Sequence, residues 1–173
     1  MKTRIARFNA FLLAALAVLS GLMVSCSSPG EGKGLASIQF HLEMNPDGTD
    51  KIGPVTIGRS VPFQVTVDKV SFLSERQLLE AQIVEHEGTF AIKLKFDQKG
   101  TWLLEQFTTA HRGKRAAIMA RWEGQGRWIG APRMEQRQAD GTFEFTPDAS
   151  REETEKFVEG LNKSAKAIQS GRF

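Results

Sequence analysis

The sequence predicts an α+β domain in which helices pack on one face of a mixed or antiparallel sheet. Three observations support this fold class. Several short segments carry apolar residues at every second position, as half-buried strands do. Two longer segments repeat apolar residues with the helical period and follow capping residues. Glycine-containing turns separate the strand-like segments in pairs, which favours hairpin connections.

The first strands are predicted before residue 70. The strand over residues 36–44 has apolar residues alternating with polar ones. Two further short strands are predicted at residues 55–57 and 63–67, separated by Gly58 and Pro62. The alternating apolar residues of the first strand are Ile38, Phe40, Leu42 and Met44.

A short helix is predicted next, over residues 75–81. Ser74 and Gln77 have the spacing of a capping box, which marks a helix start. Leu78 and Leu79 are expected to face inward from this helix.

The middle of the chain predicts a strand pair at residues 83–87 and 89–96, followed by a helix over residues 99–111. The continuous apolar run at residues 116–120 is typical of a strand covered on both faces. The apolar stripe of the helix consists of Leu103, Leu104, Phe107 and Ala110.

A hairpin is predicted over residues 127–145. Its first strand ends at Pro132, which has no amide hydrogen, so this strand is bulged or lies at a sheet edge. The Asp140-Gly141 pair is a strong hairpin turn signal, and residues 142–145 form the returning strand.

The last helix is predicted to begin near residues 148–150, where Ser150 and Glu153 repeat the capping-box spacing. Gly160 inside it costs about 1 kcal/mol relative to Ala and indicates close packing on a neighbouring element. Its apolar stripe consists of Phe157, Leu161, Ala165 and Ile168.

The N-terminal residues have the order of a secretory signal. Basic residues precede an apolar run over residues 11–24, which is short for a spanning helix of about 20 residues. Cys26 follows small residues at the end of this run and resembles the lipobox cysteine of bacterial lipoproteins. That resemblance implies a lipidated Cys26, carrying acyl chains such as palmitate. An ordinary signal peptide or an uncleaved anchor with an incidental cysteine is the alternative, and both place the rest of the chain outside the cytoplasm.

This interpretation divides the chain into four parts. Residues 1–25 are the lipoprotein signal peptide, and residues 26–35 are the lipidated cysteine and a flexible tether. Residues 36–70 hold the N-terminal strands, and residues 71–169 form the main α+β domain. Ser27 resembles the residue that sorts lipoproteins to the outer membrane, which is slightly favoured over the inner membrane.

Composition excludes several classes of function. The chain has 23 basic and 20 acidic residues, and the excess comes from Lys2, Arg4 and Arg7 in the signal peptide. The remaining chain is therefore neutral, which argues against a nucleic-acid partner. Cys26 is the only cysteine, so no disulfide is expected.

Residues 93–120 resemble the head of the first large periplasmic domain of SecD, a subunit of the bacterial protein-export machinery. Weaker matches in the same order extend the resemblance over residues 72–162. The resemblance implies a SecD-head-like fold in a periplasmic setting. The matching features are the strand ending in Phe96-Asp97, the Gly113-Lys114 pair, the Ala117-Ile118 strand and the Ala131-Pro132 pair.

The departures from SecD limit what the resemblance implies. SecD anchors its head with several membrane-spanning helices, and no such segment is predicted after Cys26. The charged intramembrane residues implied in proton-coupled export have no counterpart in this sequence. A role near exported polypeptides is therefore implied only by analogy.

No catalytic, cofactor or metal site is predicted. His41, His86 and His111 are not at metal-ligand spacing, and surface or helix-cap positions account for them. Their convergence in space remains open at this point. Trp102 and Trp122, together with Trp128, form either an aromatic platform or part of the core.

The prediction is a non-enzymatic, lipid-anchored envelope binding or accessory module that contacts exported or unfolded polypeptides. The candidate surface is the hairpin edge, where Pro132 marks a missing amide, Trp128 offers an anchor and Arg127 lies beside it. The export machinery is a second candidate partner. A small envelope enzyme or ligand-binding protein, with a site that forms only in three dimensions, is the alternative.

Overall fold

A computed structural model describes residues 34–59 and 61–171 of the chain. It is a mixed α+β structure with antiparallel strand pairing, which confirms the predicted fold class. The strands are β1 (Ala36–Leu42), β2 (Ile52–Ile57), β3 (Phe63–Asp68), β4 (Leu73–Ser74), β5 (Leu78–His86), β6 (Thr89–Phe96), β7 (Ala116–Trp122), β8 (Gln125–Gly130) and β9 (Thr142–Phe145). The helices are α1 (Gln98–Ala110) and α2 (Arg151–Gln169).

The strands form three sheets. A four-stranded sheet has the order β4-β1-β7-β8, and a three-stranded sheet has the order β5-β6-β9. Strands β2 and β3 pair only with each other as a two-stranded sheet, which we call the ribbon. The tight turn between β7 and β8 has positive φ at Glu123 and Gly124, as a two-residue type I′ hairpin requires.

The main core lies on one face of the four-stranded sheet. Apolar residues from that face, from the three-stranded sheet and from both helices belong to one buried cluster. Phe40 at its centre contacts Phe96 and Phe143 edge to face. The helices therefore pack with the three-stranded sheet on the side of β1 that carries Ile38 and Phe40.

The ribbon covers the opposite face of the same sheet. Ile57, Val65 and Val67 of the ribbon form a separate buried cluster with Ala117 and Ala131. This burial explains why the apolar run at β7 is continuous, because Ala117 faces the ribbon while its neighbours face the main core. The prediction of a strand covered on both faces is confirmed.

Both helices are confirmed, with ends within a residue or two of the prediction. The Asp97 side chain accepts a hydrogen bond from the Gly100 backbone and begins α1. Ser150 and Glu153 form the predicted capping box of α2. Gly160 is a close-packing position, since a Cβ there would lie 2.8 Å from the Cβ of Ala36.

The predicted helix over residues 75–81 is wrong. The capping box at Ser74 and Gln77 does form, but it starts only a 3₁₀ turn at Glu75–Gln77. Leu78 already has extended backbone angles, and β5 then pairs with β6 along its length. Pairing with β6 satisfies more backbone groups than a two-turn helix, so tertiary structure overrides the local signal. Leu79 lies at a bulge and is 41% exposed, which corrects its inward placement.

The predicted hairpin over residues 127–145 is also wrong. Strand β8 pairs with β7 in the four-stranded sheet, whereas β9 pairs with β6 in the three-stranded sheet. The Asp140-Gly141 turn leads into β9 without joining it to β8. The predicted edge position of the Pro132 segment is nevertheless correct, since β8 is the last strand of its sheet and is bulged.

Candidate functional site

A shallow groove of about 280 Å³ lies beside β9. One wall is β9, and the other is the segment that continues β8 after its end. We call this site the β9 groove. Its lining residues are Lys93, Thr108, Pro132, Arg133, Met134, Glu135, Gln136, Gln138, Thr142, Phe143 and Glu144.

Strand β9 presents backbone groups to this groove. The N–H of Phe96 donates to the carbonyl of Gly141 at 2.9 Å, so these two residues form a hydrogen-bonded pair between β6 and the start of β9. Such pairs recur at every second residue of an antiparallel pair of strands. Phe143 and Phe145 therefore point their backbone groups toward β6. The backbone N–H and C=O of Glu144 point the other way, into the β9 groove.

The turn before β9 fixes the start of the groove. Asp140 accepts hydrogen bonds from the backbone N–H of Thr142 at 3.0 Å and from its hydroxyl at 2.8 Å. These bonds, the backbone one first, lower the pKa of Asp140 below its usual value. Gly141 has φ +72°, and a Cβ there would overlap the Thr101 hydroxyl of α1, so only glycine fits.

The opposite wall is held by an extension of the four-stranded sheet. The Ala116 N–H donates to the Pro132 carbonyl at 3.0 Å, and the Met134 N–H donates to the Lys114 carbonyl at 2.9 Å. Thr108 anchors the far end, because its buried hydroxyl accepts from the Gln138 N–H at 3.1 Å. The wall is therefore a continuous strand-like segment attached at several points.

The charges around the groove balance. Lys93 and Arg133 are matched by Glu135 and Glu144, and the remaining lining side chains are mostly neutral and polar. Such a groove does not select strongly charged ligands by long-range attraction. It can hold an extended segment by backbone hydrogen bonds to Glu144 with little demand on side-chain chemistry.

The other long sheet edge, at β5, is closed by a side chain. Asn162 of α2 accepts from the Ala81 N–H at 2.9 Å, and its amide donates to the Ala81 carbonyl at 2.9 Å. The amide of Asn162 thus imitates a neighbouring strand. Arg151 of α2 forms an ion pair with Glu85 further along β5. Helix α2 therefore protects the edge of β5 from pairing with another chain.

The edge at β8 is covered at the position where the sequence predicted binding. The Asp148 N–H donates to the Ile129 carbonyl at 2.6 Å. Arg127 donates to the Asp148 carbonyl at 2.8 Å, and its guanidinium lies 5.3 Å from the Trp122 ring centre. Arg127 therefore holds the start of α2 and does not form an exposed surface with Trp128.

Trp128 lies on the opposite face of the sheet from Arg127. It is half-buried beside the ribbon cluster, and its ring meets His41 edge to face at 5.1 Å. Trp122 is buried against Phe157, and Trp102 is 60% exposed on α1. Among the aromatic contacts of the described residues no two tryptophans meet, so the aromatic platform does not form. Of the three predicted surface residues, only Pro132 lines the β9 groove.

A cluster of four charged residues joins the ribbon to the start of α2. Arg59, which follows β2, forms a two-pronged ion pair with Glu153, with N–O distances of 2.6 and 3.3 Å. Arg127 approaches the same carboxylate at 3.3 Å. Hydrogen bonding from Arg59 first, then from the Ser150 backbone, lowers the pKa of Glu153 to about 2.

Asp148 completes this cluster. Its Oδ2 atom lies 3.7 Å from Arg127 and 3.9 Å from Arg59, and it has no hydrogen-bond partner within the described part of the chain. The cluster is therefore partly satisfied, and its strength depends mainly on the bond between Arg59 and Glu153.

The three histidines occupy unrelated environments. His41 is buried, contrary to the predicted surface position, and its Nδ1 atom lies 2.8 Å from the Asp68 carbonyl. His86 is exposed and contacts Glu144 at 2.6 Å. His111 caps α1, where burial, followed by nearby Lys114, lowers its pKa. Within residues 34–59 and 61–171 no group of acidic, histidine or cysteine side chains is arranged to hold a metal.

Sequence reasoning found Pro132 but missed the rest of the groove. The missing information was which strand lies next to β9, and that depends on pairing between distant residues. The Asp140-Gly141 turn could have identified Thr142 as the start of an exposed strand end. The predicted lipidation site, Cys26, lies outside the described residues. No helix within those residues is long and apolar enough to cross a bilayer.

Comparisons with known proteins identify the fold. A family model of the SecDF P1 head subdomain matches residues 58–165. A membrane component SecDF that enhances protein export has a similar structure, with 20% identity and a TM-score of 0.52 over 74% of this chain and 62% of that one. SecDF in its super-membrane-facing form is 20% identical with a TM-score of 0.54, over 76% of this chain and 19% of that one.

These matches confirm the SecD-head resemblance that the sequence predicted for residues 72–162. At 20% identity the two solved structures show the fold alone. The chain spans less than two thirds of the length of either SecDF protein. A comparison with curated protein sequences found no match.

Proposed function

The chain belongs to the SecDF P1 head family, and on this premise we propose that it is a non-enzymatic accessory module of protein export. It holds extended segments of exported polypeptides in the β9 groove. The observation that carries the proposal is the open backbone of Glu144, beside a groove of balanced charge. The matched family and the export-enhancing SecDF of similar fold support the setting.

Binding is by strand addition to β9. An incoming extended segment pairs with the N–H and C=O of Glu144, and its side chains alternate between the groove wall and solvent. Strand β9 has only four residues, so few hydrogen bonds form. Affinity is therefore weak, on the order of micromolar. Salt has little effect because the groove charges balance.

The sharpest test removes one backbone donor. Glu144→Pro deletes the N–H that faces the groove and leaves the bonds of Phe143 and Phe145 to β6 in place. Glu144→Ala is the matched control, because it removes the same side chain and the contact with His86 but keeps the donor. Binding of an unfolded secretory polypeptide to the full chain in detergent is then titrated at low and high salt.

We expect Glu144→Ala to bind like the wild type and Glu144→Pro to bind at least severalfold more weakly. Urea midpoints of the two variants show whether each is folded. Equal binding by both variants would exclude backbone pairing at β9. A photo-crosslinker at Gln136 in intact cells is the second measurement. Exported polypeptides should be captured there and not from a crosslinker at Glu87, in the turn between β5 and β6.

We also propose that the chain is anchored on the extracytoplasmic side of the membrane through acylated Cys26, after removal of residues 1–25. Residues 26–35 then serve as a tether of at most about 35 Å when fully extended. The outer membrane is the favoured destination. Cys26→Ser should leave unprocessed precursor or release the protein from membranes. Mass spectrometry that finds an unmodified mature N-terminus at another residue would exclude acylation.

A further inference from the structure

The ribbon is attached to the rest of the domain by few contacts. Its buried cluster is small and separate from the main core. Its base is held by an antiparallel bridge between Glu43 and Val67, with a bond from the Met44 N–H to the Thr66 carbonyl at 2.8 Å, and by a bond between His41 and the Asp68 carbonyl. Its other end is held by the ion pair of Arg59 with Glu153 and by the guanidinium of Arg115, which lies over the Phe63 ring. Such an element can open while the main core stays folded.

The ribbon also touches the wall of the β9 groove from behind. Ala131 is buried in the ribbon cluster, whereas the next residue, Pro132, lines the groove. Arg115 reinforces this connection. Its guanidinium lies 5.3 Å from the Phe63 ring centre of the ribbon and donates to the Ala131 carbonyl at 2.9 Å.

We infer that the ribbon is a movable element that supports residues 131–134, one wall of the β9 groove, from behind. We call this element the lid, and we call the bond between Arg59 and Glu153 that keeps it closed the latch. The regulatory part of this inference rests on the proposed function of that groove. When the lid opens, Ala131 loses its apolar cover and Arg115 loses its contact with Phe63. The wall then becomes more mobile. By linkage, a polypeptide bound in the groove must stabilise the closed lid to the same degree.

The latch can be weakened without touching the groove. Arg59→Ala removes the ion pair, and Arg59→Lys keeps the charge but loses the two-pronged geometry. Arg137→Ala is the matched control, since it breaks a different exposed arginine–glutamate pair, with Glu105. Hydrogen exchange of the full chain in detergent is followed at the ribbon, at the wall amides of Ala116 and Met134, and at Ile92 in the main core.

We expect Arg59→Ala to speed exchange about twofold to fivefold in the ribbon and in the wall amides, the range for an exposed ion pair. Exchange at Ile92 should stay unchanged. Arg59→Lys should give a smaller effect, and Arg137→Ala should leave the ribbon unchanged. If the ribbon exchanges no faster in Arg59→Ala than in Arg137→Ala, the latch is refuted. Faster ribbon exchange with an unchanged wall would refute the coupling to the groove.

Polypeptide binding supplies the final arm. Saturation of the wild-type chain with the unfolded secretory polypeptide should slow exchange in the ribbon severalfold, whereas Arg59→Ala should change the affinity little because the lid stays mostly closed. Wild-type binding that depends on the Glu144 donor but leaves ribbon exchange unchanged overturns the regulation and leaves the proposed function standing. Absence of wild-type binding overturns the proposed function and with it the regulatory part. The exchange data without ligand still decide whether the lid and its latch exist.

Discussion

The four-stranded sheet buries 23 residues in one cluster on its helical face and only five in the cluster on its ribbon face. The first cluster draws on both helices and on two sheets, so no single element can leave without exposing the others. The second depends on one pair of strands and a few polar contacts. The two faces of one sheet therefore differ in how cooperatively they unfold.

This difference predicts that the helical face is a rigid scaffold and that the ribbon can open independently of it. Strand β7 belongs to both clusters, since Ile118 faces the main core and Ala117 faces the ribbon. Changes on the two sides of this strand should consequently have separable effects. The four predictions below test that separation.

The largest effect is expected from Phe157→Ala in α2. Phe157 is almost fully buried and its ring centre lies 5.4 Å from that of Trp122. Removing it creates a cavity and should lower the free energy of unfolding by about 3–5 kcal/mol. Urea denaturation followed by circular dichroism measures this loss. A loss below about 1 kcal/mol would contradict a single cooperative core on the helical face.

A smaller global loss is expected from Gly160→Ala. The added methyl group would lie 2.8 Å from the Cβ and 3.2 Å from the backbone N of Ala36. Helix α2 must then shift away from β1, which should cost about 1–3 kcal/mol of unfolding free energy. Ala is the better helix former, so a stabilised variant would show that this contact is looser than described. Lys166→Ala on the same helix is the control.

Val67→Ala should act locally on the ribbon face. Val67 is buried in the small cluster, and its truncation should lower the free energy of ribbon opening by about 1–2 kcal/mol. The global urea midpoint should change much less, because the ribbon can open before the main core unfolds. Hydrogen exchange separates the two quantities. Equal changes in the free energies of ribbon opening and of global unfolding would show that the two faces unfold as one cooperative unit.

The sequence predicted the elements of the helical face well because its signals are local. The capping residues Asp97 and Ser150 and the helical period identified both helices. The alternation in β1 identified its buried face. These features depend on residues a few positions apart, which a single sequence shows directly.

The arrangement of the β9 groove was not predictable in the same way. The pairing of β9 with β6, and of β8 with β7, is decided by packing between residues far apart in the chain. The Asp140-Gly141 pair correctly indicated a turn before β9, but the strand predicted to pair with β9 was wrong. Arg127 and Trp128 were adjacent in the sequence, yet alternation along β8 places them on opposite faces. Sequence reasoning therefore recovered most of the elements, with the helix predicted over residues 75–81 as the exception, and one groove residue, Pro132.

The smallest predicted effect concerns pH and the latch. The pKa of Glu153 is lowered to about 2, from a usual value near 4.5, because Arg59 and the Ser150 backbone stabilise the charged carboxylate. Opening of the ribbon removes Arg59 from Glu153 but leaves the Ser150 bonds and Arg127 in place, so only the Arg59 share of the lowered pKa favours closure. That share is fully present above about pH 4.5 and is lost as pH falls toward 2. Arg127 faces the same carboxylate at 3.3 Å, and Asp148 lies 3.9 Å from Arg59 and 3.7 Å from Arg127.

Ribbon protection against hydrogen exchange, corrected for intrinsic rates, should therefore be constant between pH 8 and pH 5. It should decrease relative to that of Ile92 below about pH 4.5. The effect is small because the Arg59 side chain is 54% exposed and solvent screens the pair. Glu153→Gln is the matched control, since glutamine keeps the capping box with Ser150 but cannot titrate. Its ribbon protection should already be low at pH 7 and flat on acidification. If ribbon protection in Glu153→Gln falls as steeply with acidification as in the wild type, another group causes the pH dependence and the bond between Arg59 and Glu153 does not.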